Sequence, residues 1–347
     1  MSPKTSPASP LSKPRSVKLL ILALTLLLLT AIAASMTAGQ MKISPFKIIR
    51  NFFSIFSEKQ EVFTPGEQSV LKLRVYRTAA AALAGIALSI AGVIYQSIFI
   101  NPLVSPDLLG VTAGSSFGAA VGILISGSFM TVQTSAFLFG LAAVFFAVTL
   151  AKQFKGDRLI MLMMSGMISS SLFGSLLSLS NWLAKSHELS SILHFMMGGL
   201  ATVQPQTVAY AAFLILLGSI FLFLMANHVN LLSLGEETAS SLGINATFSR
   251  TVLIMGATLI SSAAVYLGGA ISWVGMMIPH MARMLAGSDN RKLIPVAALI
   301  GGSYLIAADI IARSFTAGEL PLNLITSAFG IPFLIFVLFK TTNREQA

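Results

Sequence analysis

Between Asp107 and Lys152 the chain contains no Asp, Glu, Lys or Arg. From Thr78 to Arg158 only Asp107, Lys152, Lys155 and Asp157 precede the last residue as groups of that kind. A water-soluble domain cannot leave so long a run uncharged without exposing a large apolar surface. A charge at the centre of a bilayer costs at least ~2.5–3.5 kcal/mol, so spanning helices exclude it. The pattern recurs along almost the whole chain, which is 55% hydrophobic and 10% charged. Soluble domains average roughly 25% charged residues. The chain therefore reads as an all-α integral membrane protein, because a lipid-exposed backbone must satisfy its own hydrogen bonds.

A spanning helix needs ~20 apolar residues. Ten apolar segments are legible, at 17–38, 75–100, 108–126, 132–151, 159–181, 206–226, 251–267, 270–286, 293–313 and 321–340. They leave no room for a sizeable soluble domain. The expected organisation is a tail over 1–16, one ten-helix transmembrane domain over 17–340 and a tail over 341–347. Lys4, Lys13, Arg15 and Lys18 precede or open the first segment, and Ala31 to Ser35 are small, as in a signal peptide. Its apolar core, Leu19 to Ala34, is long for one, so a retained helix is expected.

Starting inside, ten helices return the C-terminus to the same side. Thirteen Lys/Arg then fall in cytoplasmic segments and nine outside, seven of those nine in the long stretch 39–77. Long loops weigh little in the positive-inside rule, so an N-in, C-in topology is expected. The net charge of +10 follows from that bias and is no nucleic-acid footprint, because the basic residues are scattered over loops. With no cysteine, thiol chemistry and iron–sulfur ligation are absent.

Local signals mark several boundaries. Asn101-Pro102 should end the second helix, and Ser105-Pro106-Asp107 should begin the third with a capping serine. Gly110, Gly114, Gly118 and Gly122 recur every four residues, a smooth stripe for close helix packing. No internal repeat is evident. Within 227–250, Ser233 and Glu236 have capping-box spacing, and Gly243 could close a short helix carrying Leu242. A short amphipathic helix on the cytoplasmic face is expected there.

No P-loop is present, and His187, His194, His228 and His280 lack metal-ligand spacing. Neither cofactor nor metal is expected. Asp309 is the one acid inside an apolar segment, four residues before Arg313, which suggests a local helical pair. These absences disfavour an ion-coupled secondary transporter and leave no catalytic constellation for a membrane enzyme. Met161, Met163, Met164, Met167, Met196 and Met197 read as packing residues, and Pro279 with His280 as structural.

Six motifs then converge. They are Arg74-Val-Tyr-Arg77 with the small-residue helix to Gln96; Asn101-Pro-Leu-Val-Ser-Pro-Asp-Leu-Leu-Gly110; and Leu232-Ser-Leu-Gly-Glu-Glu-Thr-Ala-Ser-Ser-Leu-Gly243. Gly275-Met-Met-Ile-Pro-His280-Met-Ala-Arg283 with Gly287-Ser-Asp-Asn-Arg291, Ala308-Asp-Ile-Ile-Ala-Arg313, and Glu319-Leu-Pro-Leu-Asn-Leu-Ile-Thr326 complete the set. In this order, over residues 70–340, they resemble the FecCD-type permeases of iron-chelate and cobalamin ABC importers. Tyr76 stands where that family usually has proline, and Asn323 where it commonly has glycine.

The resemblance implies a type II importer permease, paired as a homodimer or with a paralogous permease in a bacterial inner membrane. Two cytoplasmic ABC ATPases and an extracytoplasmic substrate-binding protein would be its partners, besides membrane lipid. It implies that Arg74, Arg77 and Arg313 form an outer rim docking the binding protein. Gly235, Glu236, Ala239, Leu242 and Gly243 would contact the ATPase. The cargo expected is an iron chelate, siderophore or haem, with cobalamin or molybdate as alternatives.

Overall fold

The computed structural model describes residues 17–41, 43–48, 63–315 and 318–345. The expected tail 1–16 and the last two residues of the expected tail 341–347 lie outside the described residues. Ten helices match the ten expected segments: α1 (Val17–Thr37), α2 (Pro65–Ile98), α3 (Val111–Ile125), α4 (Phe129–Ala151), α5 (Arg158–Leu183), α7 (Pro205–Leu224), α10 (Ala246–Gly268), α11 (Val274–Ala286), α12 (Asn290–Phe315) and α13 (Leu322–Glu345). Short helices among the described residues between them include α6 (Ser186–Met197), α8 (Ala226–Leu232) and α9 (Glu236–Ser241).

At the centre stands α2. Its 34 residues span ~51 Å at 1.5 Å each, well beyond a bilayer core. It begins ten residues earlier than hydropathy suggests. Thr64 accepts from the Glu67 N–H and Glu67 accepts from the Thr64 N–H, so a capping box starts the helix among polar residues. Further along, Ala80, Ala81, Ala84, Gly85, Ala87, Ala91 and Gly92 are all buried. A Cβ added to Gly85 would lie 2.2 Å from the Gly301 carbonyl on α12, and one on Gly92 would lie 1.9 Å from the Gly275 carbonyl on α11. Backbone thus meets backbone at two points about two turns apart along one face of α2, the small-residue packing used where lipid offers no hydrophobic drive.

The glycine stripe works in the same way. Cβ atoms at Gly114, Gly118 and Gly122 would fall 2.5, 2.3 and 2.4 Å from Phe139 O, Ser135 O and Ser135 Oγ on α4. Gly110 is different. It adopts φ +89 after a 3-10 turn over Pro106–Leu109 and faces Ser169 and Ser170 on α5. Ser105 makes no side-chain capping bond, so the expected serine-capped start gives way to this turn and a helix beginning at Val111.

Two further departures concern the outer half. The eighth segment was expected from residue 270, but α11 begins at Val274. The preceding stretch is irregular, with Gly269 at φ +69 and Trp273 at φ +71. Irregular backbone at membrane depth survives only inside protein. Here Gly269 N donates to Val265 O, Ala270 N to Phe195 O, and Ser272 N to Asn323 Oδ1 at 3.4 Å. Asn323, the departure from glycine, thus has a partner in this turn. The second is α6, absent from the sequence reading. Its Ile192 packs with Ala120, Ile123 and Leu177, laying it over the outer ends of α3 and α5.

The α2–α11 contact is testable. Gly92→Ala places a methyl into backbone that cannot swing aside, and overpacking costs ~1–3 kcal/mol or more. Gly174→Ala on α5, where a Cβ would meet nothing within 4 Å, should be neutral or stabilising by up to ~1 kcal/mol. Thermal unfolding in detergent reads both. Equal melting temperatures would remove this contact as a determinant of stability.

Candidate functional site

Three features separate the two ends of the molecule. On the side where α7 ends and α10 begins, α8 and α9 form a compact projection. Gly235, at φ +101, precedes α9, and Ala239 is wholly buried beneath it. Gly243 N donates to Ser240 O and Ile244 N to Ala239 O, with Gly243 at φ +85. That is a Schellman closure, which a residue with a Cβ would strain. Leu242, on the last turn, is 57% exposed. The expected capping box is not formed. Ser233 Oγ donates to Asn230 O instead, and Gly235 takes the N-cap position without any side-chain bond.

Glu236 ties this projection to the helices behind it. Its carboxylate lies 3.1 Å from Arg250 Nη1 on α10 and 3.6 Å from Arg158 Nη1 on α5. A second tie joins α8 to the α11–α12 turn. Asn230 Nδ2 donates to Asp289 Oδ1 at 2.9 Å, and its Oδ1 accepts from the Asn290 backbone and side chain, both at 2.8 Å. Ser97 at the end of α2 donates to Asn290 Oδ1. The Asn230 amide, aided by the Arg291 N–H, holds the Asp289 carboxyl below its usual range. Asn230, Arg158 and Arg250 carried no sequence signal of a role, since single asparagines and arginines in loops are commonplace, and Asn290 was legible only as part of the Gly287–Arg291 motif.

At the opposite end sit Arg74, Arg77 and Arg313. All three were expected on the rim, yet they are 4%, 4% and 6% exposed. Arg77 Nε is 2.7 Å from Asp309 Oδ1, and its Nη1 is 2.8 Å from Glu319 Oε1. Arg313 Nε lies 3.4 Å from Asp309 Oδ2, and Arg313 Nη2 donates to the Ser35 carbonyl and hydroxyl. Arg74 donates to the carbonyls of Met36 and Met41. So Asp309 serves more than a local pair: it bridges α2 and α12, and the arginines bind α1 to both. Their side chains point inward, into the helix packing, and not outward from it.

The third feature is an uncovered face. Along α5, Met164, Met167, Ser171, Ser175, Ser178 and Trp182 are exposed. Of the six methionines read as packing residues, Met164, Met167 and Met197 are exposed and the other three half-buried, so none is in the core. His280 packs its ring 5.9 Å from Phe333, as a structural group would. Arg283 donates to Gln96 Oε1 at 2.9 Å, joining two of the sequence motifs across α2 and α11.

The model of the FecCD transport family matches residues 26–340. The chain belongs to this family. It is 32% identical over 329 residues to the molybdate import system permease MolB of Haemophilus influenzae, covering 94% of this chain and 97% of that one. It is 33% identical over 272 residues to an iron chelatin transport system permease of Helicobacter pylori, covering 78% and 82%. Hemin and vitamin B12 permeases are further relatives. A metal-chelate type ABC transporter solved in an inward-facing conformation superposes with a TM-score of 0.82 at 31% identity, over 94% of this chain and all of that one. The chain is therefore a multi-pass ABC importer permease of type II fold, with about ten membrane-crossing helices. It carries out transport and no catalysis of its own, and such a permease implies an ATPase and a binding protein as partners.

The buried cluster supplies a test. Asp309→Asn leaves two buried guanidinium groups facing only Glu319. Removing one partner of a buried ion pair costs ~3–5 kcal/mol. A fall in melting temperature is expected, larger than that for Glu237→Gln on the exposed face of α9. Indistinguishable melting curves would mean that the cluster does not hold the outer half together.

Proposed function

We propose that this permease imports an iron chelate, with siderophore and haem as the cargo classes. The observation that carries this reading is the uncovered face of α5. No charged residue occurs between Arg158 and Lys185, yet the face displays Ser171, Ser175 and Ser178 among Met and Leu. The exposed faces of α1 and α7 are mainly Leu, Ile, Phe and Ala, as lipid requires, with Thr30 and Tyr210 as isolated hydroxyl groups and no serine row like that of α5. A hydroxyl-bearing face of this kind suits a path between two subunits. A small dianion would cross it without any cation to offset its desolvation, at high cost. A bulky chelate, whose ligand already shields the metal, fits a neutral path of hydroxyl and thioether groups. The iron chelatin and hemin relatives support the same reading; the molybdate relative supports the alternative.

Coupling is assigned to residues 227–250. Leu242 would seat in a groove of the ATPase, with Gly235, Glu236, Ala239 and Gly243 shaping the helix that presents it. Delivery is assigned to the outer cluster. Three guanidinium groups face two carboxylates there, leaving one positive charge uncompensated. A carboxylate of the binding protein reaches Arg77 by replacing Glu319, which is 35% exposed. Arg74 and Arg313 fix the shape of that receptor from beneath.

Two measurements test these assignments. Proteoliposomes holding the permease, its ATPase and its binding protein should accumulate a labelled ferric siderophore or haem in preference to molybdate or cobalamin. Selective uptake of either of the latter overturns the cargo. Separately, Leu242→Asp should abolish ATPase co-purification while membrane insertion persists, because an unpaired charge in a docking groove costs several kcal/mol, on the order of 2–5. Undiminished co-purification with full transport would remove this loop from coupling.

A further inference from the structure

A separate cavity lies away from the exposed α5 face. It has a volume of about 460 Å³ and opens at the end of the molecule where α4 stops and α5 and α10 start. Four cations line it: Lys152, Lys155, Arg158 and Arg250. The carboxylates nearby are already committed. Asp157 accepts from the Leu159 and Ile160 N–H groups as the cap of α5, and the one carboxylate of Glu236 is divided between Arg158 and Arg250. Among the described residues no carboxylate pairs with Lys152 or Lys155. Arg250 is 93% buried by its 7% exposure, yet its Nε has no hydrogen-bond partner.

The apolar part of the lining is ordered in relation to those charges. Val148 lies four residues before Lys152, Leu162 four after Arg158 and Ile254 four after Arg250, and all three line the cavity. Residues four apart share a helix face one turn from each other. In each case the apolar residue is the one deeper in the membrane-spanning part of its helix. Three separate helices therefore present the same pair to one space: a cation at the headgroup level and an aliphatic side chain one turn deeper. A free inorganic ion needs only the first. An amphiphile with a phosphate at one end and a hydrocarbon chain at the other needs both.

We propose that this cavity binds an anionic phospholipid of the cytoplasmic leaflet, its phosphate among Lys152, Lys155, Arg158 and Arg250 and an acyl chain against Val148, Leu162 and Ile254. Basic pockets between spanning helices on this side are suited to such headgroups. The phosphate competes with Glu236 for Arg158 and Arg250, and it gives the Arg250 Nε an acceptor. Because Glu236 opens α9, the bound lipid and the projection share two cations.

The test uses the full chain in a delipidating detergent, titrated with dioleoyl phosphatidylglycerol or dioleoyl phosphatidylcholine and read by native mass spectrometry. Phosphatidylglycerol should be retained at least tenfold more tightly than phosphatidylcholine. Lys152→Gln/Lys155→Gln, at exposed positions that leave the fold intact, should reduce that preference to threefold or less. Arg250→Lys, which keeps the charge and removes Nε, should weaken it by a smaller factor. Inorganic phosphate and glycerol 3-phosphate are added as competitors. Failure of both to displace the lipid at millimolar concentration supports a site that reads chain and headgroup together. Displacement by either at equal molar concentration overturns the lipid and assigns the cavity to a free phosphate. Equal retention of both lipids, unchanged in the double variant, overturns the site. Should that variant also lose ATPase co-purification, the cations belong to the ATPase contact instead.

Discussion

Everything in this structure hangs on α2 being thin. Midway along it, at Ala80, Ala81, Ala84, Gly85, Ala87, Ala91 and Gly92, the side chains shrink to Ala and Gly, and at Gly85 and Gly92 nothing separates its backbone from the carbonyls of Gly301 and Gly275. In lipid, such closeness replaces the hydrophobic drive that water supplies to soluble cores. It also sets where the neighbours sit. With α12 and α11 seated on opposite stretches of α2, Asp309 comes within 2.7 Å of Arg77 near the outer end. At the inner end Asn290 comes within reach of Ser97. Each polar link is a consequence of the contact and not its cause.

That ordering explains which parts of the fold were legible. Hydropathy is a one-dimensional signal, and spanning helices obey it, so ten segments could be read. The glycines at 114, 118 and 122 declared a close neighbour without naming it. What could not be read was anything decided by a partner far along the chain. Asp309 looked paired with Arg313, four residues away, because Arg77 lies 232 positions off and only α2 brings it there. The three arginines expected on the rim could have pointed outward or inward. The acids that turn two of them inward are invisible without the helix packing.

Other misses have local causes. Capping chemistry outweighs hydropathy at Thr64, so α2 starts among polar residues that an apolar window rejects. α6 carries His187, Glu188 and His194 within twelve residues and never looked like a membrane segment; it is an outer cover held by Ile192. At Ser233 the sequence spacing of a capping box was present. A hydroxyl, however, takes the nearest good acceptor, here Asn230 O, and Gly235 at φ +101 shifts the helix start by two residues. The end of the same helix was legible because left-handed backbone after a helix selects glycine so strongly.

The projection formed by α8 and α9 is attached by polar ties in addition to its buried Ala226, Val229, Leu232 and Ala239, whereas α2 meets α11 and α12 backbone to backbone. Asn230 fastens it to the α11–α12 turn, and Glu236 fastens it to α5 and α10. These two ties lead to different helices, so the projection is fastened at once to α5 and α10 and to the α11–α12 turn. Close-packed backbone at Gly85 and Gly92 cannot yield without separating helices. Partly exposed ion pairs such as Glu236 with Arg158 are worth only ~0–1 kcal/mol and can exchange partners. Movement at the cytoplasmic end is therefore expected at the ties, with α2, α11 and α12 carried as one body. That division gives the subunit a rigid mast and a compliant foot, the arrangement in which closure of an ATPase beneath it could tilt helices without unpacking them.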